Sequence, residues 1–405
     1  MTNLDIKLRN SVKAAYENAP AMKARFEAAG ITPDDIQGLA DLPKIPVLSK
    51  DDIVAMQQEN PPFGGMLGVS PDKITHIFFS PGPIYEPAPE ADDSAWDVTV
   101  DALKTTGFKP GDVVLNSFTY HLVPAGFLFD NALTRLGCTV VPGGTGSADL
   151  QLKMMQDLQV TGYSGTPSFL MSLIKKAEAA GLDFKRDLQL KTAIFSAEPL
   201  PPTLRQTFVE EYGLAVGNAY ATADFGLLAL NTGEGMAMSI LAEPIVEVVD
   251  MDTGRPVGPG ETGEVVATNF SRAYPLIRIG TGDMGMNVDP NPGQSQQTER
   301  SLILVGRSGE AAKVRGMFVH PNQLRFATGQ IPGVTKVQGV VSRPELKDYF
   351  VLRVEAEGVD ETAVADLIKT AVQGLCRVRV DEVEFIALGS LADDTPGMVD
   401  ARDWT

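Results

Sequence analysis

Apolar and polar positions follow two rhythms along this chain. Between residues 74 and 222 short apolar runs (ITHIFF, DVVLNSF, CTVVPG, VTGYSG, KTAIFSA, LAVGNAYA) predict strands. The segments between them (SAWDVTVDALKTTG, AGFLFDNALTRLG, DLQLKMMQDLQ, PSFLMSLIKKAEAAG, PPTLRQTFVEEYG) space their apolar residues as helices do. This alternation predicts a largely parallel sheet covered by helices. From about 240 to 305 the runs EPIVEVVD, GEVVATNF, PLIRIG and RSLILVG are separated by Gly/Pro turns alone, which predicts a β-rich subdomain at about 235–305. Upstream, residues 5–29 have helical spacing. LPKIPVLSKDDIVAM then leads from a Pro-punctuated loop into a helix, with Ser49 as N-cap and Asp51 and Asp52 in its first turn. After GRSGE come a strand pair (VTKVQGVVSRPELKDYFVLRVEAE), a helix with Asp360 as its N-cap, and the strand RVRVDEVEFIAL. The expected class is therefore α/β. A large N-terminal domain (1–305) has parallel sheets covered by helices plus the β-rich subdomain, and a small α+β domain spans 306–405.

Composition narrows the function classes. The chain has 405 residues, enough for two or three domains, and 43% of them are hydrophobic, enough for a real core. Its 34 Lys and Arg face 52 Asp and Glu, a net charge of −18 that should repel nucleic acid and anionic membrane surfaces. Cys138 and Cys376 lie far apart, which argues against a disulfide framework or a Cys-rich zinc site. The first residues, MTNLDIKLRNSVKAAYENAP, lack the apolar stretch of a signal peptide, and no apolar run approaches the ~18 residues of a membrane span. The expectation is a cytoplasmic protein. DPNPGQSQQTER (289–300) reads as a surface loop.

One stretch carries candidate chemistry of its own. In ITHIFFSPGPIYEPAPEADDSAWD (74–97) an apolar run ends in the turn Ser80-Pro81-Gly82-Pro83, followed by an acidic segment and a helix-like one. A strand, a small-residue loop and a helix in succession form an arrangement in which many enzymes hold phosphate.

Four further pieces follow in order: GTPSFL (165–170), SAEPLPPTLRQTFVEEYG (196–213), YPLIRIGTGDMG (274–285) and GRSGEAAKVRGMFVHPNQL (306–324). The series resembles the adenylate-forming acyl-coenzyme A ligases, and among them the phenylacetate–coenzyme A ligase branch. The likeness runs from LPKIPVLSKDDI to near the C-terminus. It implies a large domain carrying nucleotide and acyl pockets and a small mobile lid domain that rotates over it, with the hinge at Gly309 or Glu310. It places Ser196, Ala197, Glu198 and Pro199 along adenine and stacks Tyr220 on the base. Asp224 falls where the family has a Mg²⁺-binding Glu, one methylene longer. Asp283 falls where ribose hydroxyls are bound, and Arg307 near ribose and phosphate. Tyr120, Tyr163, Gly165, Thr166 and Pro167 would line the acyl pocket, and Arg315 and Gly316 the coenzyme A tunnel. His320 is expected to be a structural loop residue. The implied partners are coenzyme A and a small acyl or aryl thioester, with a homodimer as the family assembly.

The departures from the family pattern matter as much. Aligned on Gly82 and Pro87, the family's phosphate loop has lost two hydroxyl residues to Pro83 and Ile84, a Gly to Tyr85 and its Lys to Glu86, while Ser80, Gly82 and Pro87 still fit. Prolines remove N–H donors from a loop that needs them. Glu86, with Glu90, Asp92 and Asp93 close in sequence, adds charge of the wrong sign; each such contact costs roughly 4 kcal/mol at about 4 Å and an effective dielectric near 20. The family's C-terminal catalytic Lys corresponds to Met398, after Gly397. LLALNTGEGMAMSI lacks the Cys and His of the zinc site found in some relatives, so no zinc is expected. One group is gained: His121, after Tyr120 in NSFTYHLVPAGF, is a candidate general base, set against the ordinary role of a hydrogen-bonded structural histidine. Three functions follow. The favoured one is ATP-independent acyl transfer or thioester hydrolysis using His121. The others are a genuine ATP- and Mg-dependent carboxylate–CoA ligase with substitute groups, and a binding pseudoenzyme.

Overall fold

A computed structural model describes residues 2–80, 82–89, 93–307, 312–315, 317–319, 321–344, 347–376 and 378–402. The chain divides into two compact units, Met1–Ser80 with Ile84–Gly306 and Pro81–Pro83 with Arg307–Thr405.

The larger unit opens with helices α1 (Asn3–Asn18) and α2 (Pro20–Ala28). The single helix expected over 5–29 is broken because Pro20 forces Ala19 out of helical backbone, to φ −109° and ψ 105°. Helix α3 (Lys50–Glu59) starts at Ser49, whose hydroxyl accepts from the Asp52 amide while Asp52 reaches back. Strands β1 (Ile74–Ser80) and β2 (Ile84–Pro89) then form an antiparallel hairpin with Phe78 opposite Glu86 and Ser80 opposite Ile84. The sequence reading of this stretch missed β2. Pro87 and Pro89 disfavour a strand, yet a two-stranded ribbon leaves their missing N–H groups facing no neighbour strand. Residues 90–92 lie outside the described residues; helix α4 (Asp93–Thr106) follows.

The centre of this unit is an 11-stranded sheet. Its parallel part is built from β3 (Val113–Asn116), β4 (Thr139–Pro142), β5 (Gly162–Gly165), β6 (Thr192–Phe195) and β7 (Ala215–Thr222), in the order β4-β3-β5-β6-β7. Helices α5 (Ala125–Leu136), α6 (Ala148–Asp157), α7 (Pro167–Ala179), α8 (Phe184–Asp187) and α9 (Pro202–Gln206) connect these strands. All four residues of β5 and of β6 are buried, as expected of parallel strands covered on both faces. Strands β8 (Gly226–Asn231), β9 (Met238–Ile240), β10 (Ile245–Val249), β11 (Thr262–Thr268), β12 (Ile279–Val288) and β13 (Ser301–Arg307) extend the same sheet in the order β7-β8-β9-β13-β12-β11-β10. The stretch expected as a β-rich subdomain thus hydrogen-bonds directly onto the parallel sheet.

The smaller unit has a two-stranded ribbon, β14 (Ala312–Val314) and β15 (Met317–Val319), and a four-stranded sheet. The sheet is formed by β16 (Val334–Ser342), β17 (Tyr349–Ala356), β18 (Glu382–Ile386) and β19 (Met398–Asp400) in the order β18-β17-β16-β19. Helices α10 (Pro321–Thr328) and α11 (Glu361–Cys376) complete it, the latter capped by Asp360 Oδ1, which accepts from the Thr362 and Ala363 amides. Residues 378–380 of the strand expected at RVRVDEVEFIAL are irregular. Met398 is buried in this unit's core with Leu324, Val341 and Phe350.

Candidate active site

In open α/β sheets, ligands bind beyond the carboxyl ends of the parallel strands. Here the ends of β3, β5, β6 and β7 carry a dense polar network. Asn116, fully buried at the end of β3, donates to Tyr120 Oη at 2.8 Å and to the Gly126 carbonyl at 2.9 Å, and its Oδ1 accepts from Ser164 Oγ at 3.1 Å. Tyr120 Oη donates to Asp130 Oδ2 at 2.6 Å; burial, then this carboxylate, push the phenol far above its ordinary range. Gly126 is required by the close approach, since a Cβ there would stand 2.6 Å from the Thr119 carbonyl oxygen. Tyr163 is fully buried and donates to the Thr166 carbonyl at 3.0 Å; its hydroxyl occupies the space a side chain at Gly165 would need. Thr166 caps α7 and Pro167 takes its first position, so these three residues fix the β5–α7 corner. His121 is exposed on the loop after β3. Its amide donates to Thr119 Oγ1 at 3.1 Å, and its imidazole has no hydrogen-bond partner among the described residues.

At the end of β6, Ser196 is buried and its amide donates to the Gly165 carbonyl at 3.3 Å. Ala197 stands at φ 75°, a left-handed conformation that a residue with a Cβ adopts at a cost of about 1–2 kcal/mol. Ala197 and Pro199 are exposed and Glu198 is half-buried beside them. Across the sheet, Tyr220 Oη lies 2.8 Å from Asp283 Oδ2 and 3.2 Å from Thr281 Oγ1. The two residues expected at base and ribose are therefore neighbours, already joined through the phenol.

The other end of the site is a charge cluster. Lys50, the first residue of α3, places Nζ 2.5 Å from Asp224 Oδ2. Glu86 is buried on β2, accepts from Ser80 Oγ and is hydrogen-bonded to Asp224. Burial first, and the Asp224 charge second, raise the Glu86 carboxyl well above its ordinary 4.5. Burial pushes Asp224 the same way, but the Lys50 ammonium and the hydrogen bond from Glu86 outweigh it and hold this carboxyl low. Burial disfavours the Lys50 charge, and Asp224 more than restores it. Gln57, two turns along α3, ties this helix to β2 by donating to the Tyr85 carbonyl and accepting from the Tyr85 amide, both at 2.8 Å. Neither Lys50, Gln57 nor Asn116 was singled out from the sequence. Only the motif LSKDD, an N-cap followed by a Lys, hinted at the first.

Gly82 lies at the hairpin turn. The side chain of Arg307, and Gly309, Glu310, Gly316 and His320, lie outside the described residues. In the smaller unit Arg315 donates to the Arg379 carbonyl at 2.7 Å, to the Asp348 carbonyl at 2.9 Å and to Asp381, so its guanidinium is engaged within that unit. Among the described residues no three His, Cys, Asp or Glu side chains come together as a metal cluster, and no helix is long and apolar enough to cross a membrane.

Residues 94–271 match the family of AMP-binding enzymes. The chain carries an AMP-binding superfamily domain. The chain is 28% identical over 376 residues to a phenylacetate-coenzyme A ligase of Pseudomonas putida, covering 88% of this chain and 82% of that one. It is 28% identical over 334 residues to a protein of the same name from Escherichia coli K12, covering 78% and 73%. Its fold is similar to that of a 2-hydroxyisobutyryl-CoA ligase solved with an acyl adenylate and CoA, with TM-score 0.85, 24% identity and coverage of 99% and 89%. The α/β architecture and the family resemblance read from the motifs are thus borne out.

Proposed function

We propose that this AMP-binding domain acts on an acyl- or aryl-CoA thioester, transferring or hydrolysing the acyl group without forming an adenylate. The observation that carries this is the state of the phosphate end. Glu86 stands where the family loop has its Lys, and it is buried against Asp224 and Ser80. The Lys50 ammonium, the one that the described residues bring there, is already paired with Asp224. A triphosphate would have to displace this pair and meet two carboxyl groups, and Asp224 would have to leave Lys50 to hold Mg²⁺. Met398, at the position of the family's C-terminal Lys, is a core residue. The residues therefore do not fit Mg·ATP in this arrangement. In the thioester reaction Tyr120, Thr166 and the strand ends would seat the acyl group, with the exposed His121, next to Tyr120 in the chain, as the base.

A second reading is an ATP-dependent carboxylate–CoA ligase. Lys50 favours it, because this cation reaches the phosphate end from a segment that the loop comparison ignores. Thermal-shift binding of the full chain separates the two. Micromolar ligands at a hundredfold excess over Kd stabilise by about 2.7 kcal/mol, enough to register. Stabilisation by acyl-CoA esters but not by Mg·ATP is expected. Stabilisation by Mg·ATP with acid-dependent pyrophosphate exchange would establish the ligase instead.

A further inference from the structure

Lys50 is set in place by contacts that lie away from the charge cluster itself. Two residues before it, Leu48 forms an isolated parallel bridge with Ile279 at the start of β12. The Leu48 amide donates to the Arg278 carbonyl at 2.9 Å and the Gly280 amide to the Leu48 carbonyl at 2.9 Å. The same strand carries Thr281 and Asp283 onward into the site. Two guanidiniums fasten this bridge, that of Arg278 buried and that of Arg25 half-buried. Arg278, 1% exposed, donates to both oxygens of Glu247 on β10 at 3.0 and 3.2 Å, to the Ile45 carbonyl at 2.6 Å and to the Gly254 carbonyl. Arg25 on α2 donates to the Ile277 carbonyl at 2.5 Å, to the Arg278 carbonyl at 3.3 Å and to the Pro46 carbonyl. The carbonyls of residues 45 and 46 are thus held by separate anchors. Only Val47 and Leu48 then precede Ser49, whose capping box with Asp52 fixes the first turn of α3.

Arg278 also has φ 51°, a left-handed backbone that persists in a residue with a side chain only where the surroundings over-determine it. A forked, permanently charged side chain suits such a site, since it can bind a carboxylate with two parallel bonds and still reach carbonyls.

We propose that Arg278 with Glu247, backed by Arg25, are positioning residues that hold the Lys50 ammonium against Asp224. The alternative is a buried ion pair that serves stability alone. The proposal does not depend on which ligand the site takes.

The test reads Lys50 directly. The full chain and its Arg278→Lys, Glu247→Gln and Arg25→Gln variants would be pulsed with acetic anhydride at neutral pH, and modification quantified peptide by peptide by mass spectrometry. Lys153, an exposed surface residue, is the internal control, and Asp224→Asn supplies the reference for an unpaired Lys50. Lys50 should be slow in the parent protein. It should become about tenfold faster in the variants, the change that loss of one charge-assisted hydrogen bond produces, with Lys153 unchanged. Arg25→Gln leaves the Arg278–Glu247 pair in place and is the mildest of the three. A folded variant in which Lys50 stays as protected as in the parent overturns the proposal. A uniform rise at every lysine in all three variants also overturns it, because the residues would then be serving the fold alone.

Discussion

The two ends of the candidate site are built from different elements: one from strands β7 and β12 of the large sheet, the other from α3, the separate β1–β2 hairpin and the turn between β7 and β8. At one end Tyr220, Thr281 and Asp283, the first two buried and the third half-buried, are joined by hydrogen bonds of which only the one from Tyr220 to Asp283 reaches a charged group. At the other end the partly exposed Lys50 meets the buried side chains of Asp224, Glu86 and Ser80, and the ammonium and the Asp224 carboxylate already pair with each other. The difference teaches how an anion site changes character. A site that awaits a phosphate leaves donors unsatisfied, whereas a site filled with its own paired charges resists one.

The largest expected effect tests this asymmetry. Lys50→Met leaves the Asp224 carboxylate buried without its ammonium and should cost about 3 kcal/mol, the low end for breaking a buried pair because Lys50 is partly exposed. Tyr220→Phe at the other end removes one hydrogen bond and should cost about 1 kcal/mol. Both are read by urea denaturation, and equal losses would mean that the two ends are not energetically distinct.

A subtler effect follows from Glu86. Its folded-state carboxyl is raised, so its contribution to stability is full below about pH 4.5 and is lost as pH rises towards the raised value. Glu86→Gln keeps the shape and does not titrate. The stability of this variant relative to the parent should therefore increase between pH 5 and 8. Parallel pH profiles would show that Glu86 is an ordinary ionised carboxylate despite its burial beside Asp224.

The smallest stability effect is expected at His121. Its imidazole has no partner among the described residues, so His121→Ala should change stability by less than about 0.5 kcal/mol. The same variant should abolish thioester turnover if the histidine is the base. Turnover at the parental rate would move the search for a base to the strand ends.

The sequence by itself determined what local physics decides. Hydrophobic period separated strands from helices across residues 113–222. Ser49 and Asp360 announced their helices because a cap acts within three residues. The ordered motifs located the strand ends, since glycine turns and the residues around them are contiguous. Local signals also misled: prolines at 87 and 89 hid a strand that only its partner could reveal. What tertiary structure alone decided is which distant charges meet. Lys50 and Asp224 are 174 residues apart, and Arg278 reaches the Ile45 carbonyl across 233. Such pairings depend on strand order and register in the assembled sheet. Glu86 stands where the family loop has a lysine, while the folded chain brings in another from α3. Burial then sets the protonation of the carboxyl that replaced it.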